Sequence, residues 1–115
     1  MKNPFGQMAR DYNKADKKKS RVTSGLGHKE LAKELERMAN EVGMRCHYSG
    51  VLLTLDCRDC FKLSFDRIDN SIGHTLDNMV VTSKILNIMR GNMDYDQWVS
   101  EAQWKSSKML EMAQG

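Results

Sequence analysis

The sequence predicts a small α+β domain, and three observations carry that expectation. Residues 28–42 repeat apolar side chains at helical spacing, two short β-prone runs flank a polar loop, and a further helical segment follows the second run directly. A chain of 115 residues is one domain by length, able to bury roughly two-thirds of its unfolded surface.

Residues 1–27 read as a basic N-terminal arm, because they combine Lys17, Lys18, Lys19 and Arg21 with a Ser-Gly segment, although a short helix over Met8–Lys18 also fits. Residues 28–115 form the folded part, with its core at 45–98. In the first helix Leu31, Leu35, Met38 and Val42 fall on one stripe, and Gly43 stops it. Val51–Leu55 is β-prone, and Phe61–Asp66 alternates apolar and polar residues as a half-buried strand does. Between them lies the turn Asp56-Cys57-Arg58-Asp59-Cys60. Asp69–Asp77 is loop-like, Met79–Val81 is a second strand, and Ser83–Met89 is a short helix closed by Gly91. A last helix starts at Asp94, where Asp94 and Gln97 fit a capping box, and it carries Trp98, Ala102 and Met109 on one face. Trp98 and Trp104 are expected in the core or at an interface rather than stacked on bases.

No apolar run approaches the length of a membrane span, and the polar N-terminus lacks the apolar centre of a secretory signal. Three cysteines without such a signal argue against a disulfide framework, so an intracellular, cytoplasmic setting is expected. Residues 1–45 hold 11 Lys/Arg against 6 Asp/Glu, whereas residues 46–115 hold 7 against 9. The basic half is suited to a polyanion through counterion release, or equally to a solvated surface.

The chemistry concentrates in residues 63–91. Asp66 ends the first strand, Asn78 opens the second, and Asn87 lies nine positions later on the helix. A helix laid over the hairpin lets Asp66 and the Asn87 side-chain oxygen converge on one point. Two such oxygens suit a hard cation, Mg²⁺ or Mn²⁺. Arg90, one turn beyond Asn87, is placed to grip a phosphate.

These residues resemble a known family. Asp66-Arg-Ile-Asp-Asn70, Gly73-His-Thr75, Asp77-Asn-Met-Val-Val81 and Asn87-Ile-Met-Arg-Gly91 are similar to the HNH endonucleases of phages and restriction systems, including the Asn–eight residues–Asn spacing. Cys46-His-Tyr-Ser-Gly50 resembles the Cys-x-Tyr-x-Gly segment of the branch of restriction enzymes in which Asp-Arg replaces Asp-His. The resemblance spans about residues 45–98. It implies a ββα-metal core and metal-dependent hydrolysis of DNA phosphodiester bonds that leaves a 5′-phosphate, by nicking or double-strand cleavage. It makes Asp66 and Asn87 metal ligands and Asn78 the residue that holds the loop. Arg67 occupies the slot of the usual general-base histidine and stays protonated, so it cannot take the proton. The branch points instead to Tyr48 or a nearby water as the attacking oxygen, with Arg67 lowering the phenol's pKa or clamping the phosphate. His74 is a second candidate acceptor, and His47 a third. Lys17, Lys18, Lys19, Arg21 and Arg90 are the expected DNA contacts, and a chain this short suggests a homodimer or larger complex.

Three other expectations compete. Many relatives carry a structural zinc, but the corresponding slots here are Cys46, Ser49, Ser83 and Leu86, which supply one thiol. A rearranged zinc on Cys46, Cys57 and Cys60 stands against reduced thiols. The missing histidine also suits a DNA-binding protein that kept the fold without catalysis, and the cysteines suit a small zinc-stabilised adaptor.

Overall fold

A computed structural model of the chain describes residues 3–101, 111 and 112. Asn3 caps the first helix, α1 (Pro4–Lys18), by accepting from the Phe5 amide, with Pro4 at the first helical position. The helix that also fits Met8–Lys18 forms here, starting four residues earlier, and it packs where an arm would not. Phe5, Met8, Ala9, Tyr12 and Asp16 share one stripe, and the first three are buried against α2 (His28–Glu41). An arm has no reason to bury such a stripe; a helix with a partner does.

In α2 the expected stripe holds at Leu31 and Leu35, both fully buried, with Ala32 and Ala39 beside them. It ends early, because Val42 caps the helix and remains 45% exposed. The β-prone run at 51–55 does not become a strand. It makes single bridges, Arg45 to Leu52 and Thr54 to Lys62, while Val51 and Leu53 point inward. Its amide and carbonyl groups pair with the flanking segments instead of one continuous partner, so no ladder develops.

β1 (Leu63–Arg67) pairs antiparallel with β2 (Met79–Ser83), Asp66 facing Val80 across the ladder. A short 3₁₀ turn, Leu76–Asn78, leads into β2. Ser83 then caps α3 (Lys84–Arg90) by accepting from the Leu86 amide, and Gly91 at φ 54° ends it. α3 packs on both strands. Residues 95–101 are helical, with Asp94 at their start accepting from the Asp96 amide. Trp98 is fully buried in the core. Ala102, Trp104 and Met109 lie outside the described residues. Leu31, Leu35, Leu63, Phe65, Leu86 and Trp98 form the centre of the core, each large apolar side chain worth about 1.5–3 kcal/mol on burial. Among the described residues no helix is long and apolar enough to cross a membrane.

Candidate active site

Asp66 lies at the end of β1 and is 4% exposed. A buried carboxylate needs partners, and it has two. Arg90 Nη1 lies 2.9 Å from each of its oxygens, and the Tyr48 hydroxyl donates to Oδ2 at 2.6 Å. The same guanidinium donates to the carbonyls of Arg67, Ile68 and Met93. Arg90 thereby staples the end of β1 to the end of α3. It sits 5.3 Å above the Tyr95 ring.

Asn87 reaches β1 from α3. Its Nδ2 donates to Ser64 Oγ at 2.8 Å and to the Phe65 carbonyl at 3.3 Å, the peptide directly before Asp66. The fold brings Asp66, Asn87, Arg90 and Tyr48 into one neighbourhood.

Tyr48 is held by a turn fastened to β2. The His47 amide donates to the Val81 carbonyl, Cys46 and Gly50 close the turn, and Gly50 has φ 73°. The ring meets Trp98 edge-on at 5.7 Å. Burial first, then the hydrogen bond and charge of Asp66, push its phenol well above the ordinary value. Arg67 is expected to lower it or to clamp the phosphate. The guanidinium that pulls it down is that of Arg90, and burial outweighs it.

Arg67 turns into the loop, where its Nη1 donates to the carbonyls of Asn70 and Ile72 at 2.6 and 3.0 Å. Asn78 completes the same loop. Its Oδ1 accepts from the Asp69 amide at 2.9 Å, and its Nδ2 donates to the carbonyls of Asp69 and Gly73 at 3.1 and 3.0 Å.

His74 faces α1. Its Nδ1 lies 3.0 and 3.1 Å from the Asp16 oxygens, its amide donates to Asp16 Oδ2 at 2.7 Å, and its ring stacks on Tyr12 at 4.0 Å. Burial lowers its pKa below 6.5 although Asp16 pulls the other way, so the ring is neutral near pH 7 with Nδ1–H donating to Asp16. Sequence reasoning missed Asp16 and Tyr12. The available signal was an acid and a phenol on the apolar stripe of α1.

Lys17, Lys18 and Lys19 are exposed at the end of α1, whereas Arg21 folds back onto Asp16 at 3.1 Å. The Val22 carbonyl accepts from the Gly73 amide at 2.8 Å, which sets the lysine turn beside the 69–78 loop. His47 is exposed and meets the Tyr48 ring edge-on at 5.2 Å.

With this geometry in view, the fold resembles that of PacI. The solved structure of PacI, a rare-cutting HNH restriction endonuclease, matches with a TM-score of 0.62 and 17% identity, over 93% of this chain and 78% of that one. At this identity the likeness is one of fold. No family model matches the sequence, and no curated protein does.

The donors at Asp66 and Asn87 are a carboxylate and a carboxamide oxygen, and in kind they fit a hard divalent cation. Asn87 spends its nitrogen on β1, which leaves the oxygen as the atom available to a ligand. Arg90 competes for the carboxylate. For zinc the arrangement differs from the rearranged site considered in the sequence. Cys46 is buried with its sulfur 3.4 Å from Thr82 Oγ1, whereas Cys57 and Cys60 are exposed, and all three are free thiols. Among the described residues no three His, Cys, Asp or Glu side chains gather to hold a metal.

Proposed function

We propose that this chain is an HNH-type endonuclease that hydrolyses DNA phosphodiester bonds with a divalent cation, Mg²⁺ or Mn²⁺. The observation that carries the reading is the strand–loop–strand–helix unit that sets Asn87 against the peptide preceding Asp66, in a fold like that of PacI. Asp66 and Asn87 are the side chains that would hold the cation. Once bound, the ion would polarise a phosphoryl oxygen and stabilise the leaving 3′ oxygen.

The chain's own residues supply the rest. Asn78 and Arg67 fix the loop beside the scissile bond. Lys17, Lys18 and Lys19 contact backbone phosphates, Arg21 being engaged with Asp16, and Arg90 grips one near the cut. Of the proton acceptors considered, His74 has the better protonation state and Tyr48 the better position, bonded to Asp66. His74 is neutral, and with Nδ1–H on Asp16 its Nε2 carries the free lone pair. Tyr48 already donates to Asp66, and its phenol resists ionisation.

The test is nicking of supercoiled plasmid with Mg²⁺, then with EDTA. Asp66→Ala and Asn87→Ala are expected to abolish cutting while DNA binding persists. Normal cutting by either variant would show the metal assignment to be wrong. A second reading, a DNA-binding protein of HNH fold without catalysis, is supported by Arg67, whose Nη1 holds the loop carbonyls of Asn70 and Ile72 in the slot where a base would act. DNA binding with no Mg²⁺-dependent nicking by the unaltered chain would favour it.

A further inference from the structure

We infer that the free protein keeps Asp66 latched by Arg90, and that a DNA phosphate must draw Arg90 off the carboxylate before a divalent cation can bind there. Cation and DNA then bind with positive cooperativity. The inference rests on the proposed nuclease reading and adds an order of events to it.

Three features carry it. The ion pair is closed to water, with side chains 1% and 5% exposed, so in the free protein solvent does not compete for either charge. Arg90 Nη1 engages both Asp66 oxygens, and Tyr48 takes a further position on Oδ2. A cation ligated by this carboxylate would lie within a few ångströms of the guanidinium, where like charges repel strongly in a partly buried site. The latch opens by turning the whole guanidinium. The two hydrogens of Nη1 face three acceptors, Asp66 Oδ1, Oδ2 and the Arg67 carbonyl, whereas Nη2 and Nε have their own acceptors in Ile68 and Met93. Because the guanidinium is one rigid plane, drawing Nη1 to a phosphate oxygen turns Nη2 and Nε with it, so the bonds to Ile68 and Met93 are given up as one anion is exchanged for another. The released carboxylate stands next to Asn87, the other oxygen donor.

The experiment measures Mn²⁺ affinity of the full chain by calorimetry and electron paramagnetic resonance, alone and with a phosphorothioate duplex that resists hydrolysis. The expected result is a gain of about tenfold or more with the duplex. Phosphate oxygens can themselves ligate Mn²⁺, so Arg90→Met separates the two causes. This variant is expected to bind Mn²⁺ without DNA about as tightly as the unaltered chain does with it, and to gain little from the duplex. Equal affinity of the unaltered chain with and without DNA, or an undiminished gain in Arg90→Met, overturns the latch. If that variant does not fold, nitrogen-15 spectra of the Arg90 guanidinium in the unaltered chain decide. Mg²⁺ alone should leave them unchanged, and Mg²⁺ with the duplex should shift them; a shift with Mg²⁺ alone overturns the inference. Failure of the nuclease reading has a different signature, the absence of Mg²⁺-dependent plasmid nicking.

Discussion

Asn78 shows how much one side chain can settle. It supplies the acceptor for the Asp69 amide and adds a donor to the carbonyls of Asp69 and Gly73, which also accept from the Ile72 and Thr75 amides. Asn78→Ala is expected to cost about 1–3 kcal/mol, the penalty for leaving the Asp69 amide without its acceptor. Urea denaturation would show it as a lower midpoint, and an unchanged midpoint would mean that the loop holds itself. His74 gives a prediction in pH. Its folded pKa lies below the ordinary 6.5, so the unfolded chain binds more protons in the window between the two values. The stability contributed by neutral His74 is complete above 6.5 and is lost as pH falls through that window. His74→Phe keeps a ring against Tyr12 and removes the titration. Stability measured in denaturant across that range should become flatter in the variant, and an identical slope would count against the assignment.

At the scale of elements, the decisive contact is that of α1 with the loop between the strands. Asp16 is fully buried and receives the His74 amide, the His74 ring and the Arg21 guanidinium. Gly73 is what lets the two surfaces meet. A Cβ there would come within 2.6 Å of Asp16 Oδ2 and nearer still to the Val22 carbonyl. Gly73→Ala should therefore destabilise the protein by about 1–3 kcal/mol, the usual cost of overpacking. Thermal unfolding reads this directly, and loss of protection of the Gly73 amide in hydrogen exchange would place the damage at α1 rather than in the β1–β2–α3 unit.

For the whole molecule, the relevant quantity is the field of the basic N-terminal half. Lys17, Lys18 and Lys19 are exposed and sit beside the loop, while Arg21 is engaged with Asp16. The three lysines together should account for about three units of the slope of log K against log salt on duplex DNA, at roughly 0.9 per phosphate neutralised. Replacing all three by alanine should weaken binding similarly across sequences and reduce that slope. A slope unchanged in the triple variant would move the DNA-binding face elsewhere.

The sequence by itself determined the β1–loop–β2–α3 unit and the positions of Asp66, Asn78 and Asn87, because these depend on local periodicity, turn chemistry and spacing along the chain. The family resemblance implied Asn78 as the loop's anchor, and its partners lie within nine residues. Only the tertiary structure decided that the N-terminal residues 4–18 are a packed helix, since the stripe of α1 is short and ends in an aspartate whose reason is a histidine 58 positions away. The same holds for the site's charges. The pairing of Arg90 with Asp66, 24 residues apart, and the donation from Tyr48, 18 residues before it, arise from packing α3 and the 46–50 turn around β1. Spacing can place a carboxylate at the end of a strand. Which charge reaches it first depends on burial and on distances that only the assembled chain fixes.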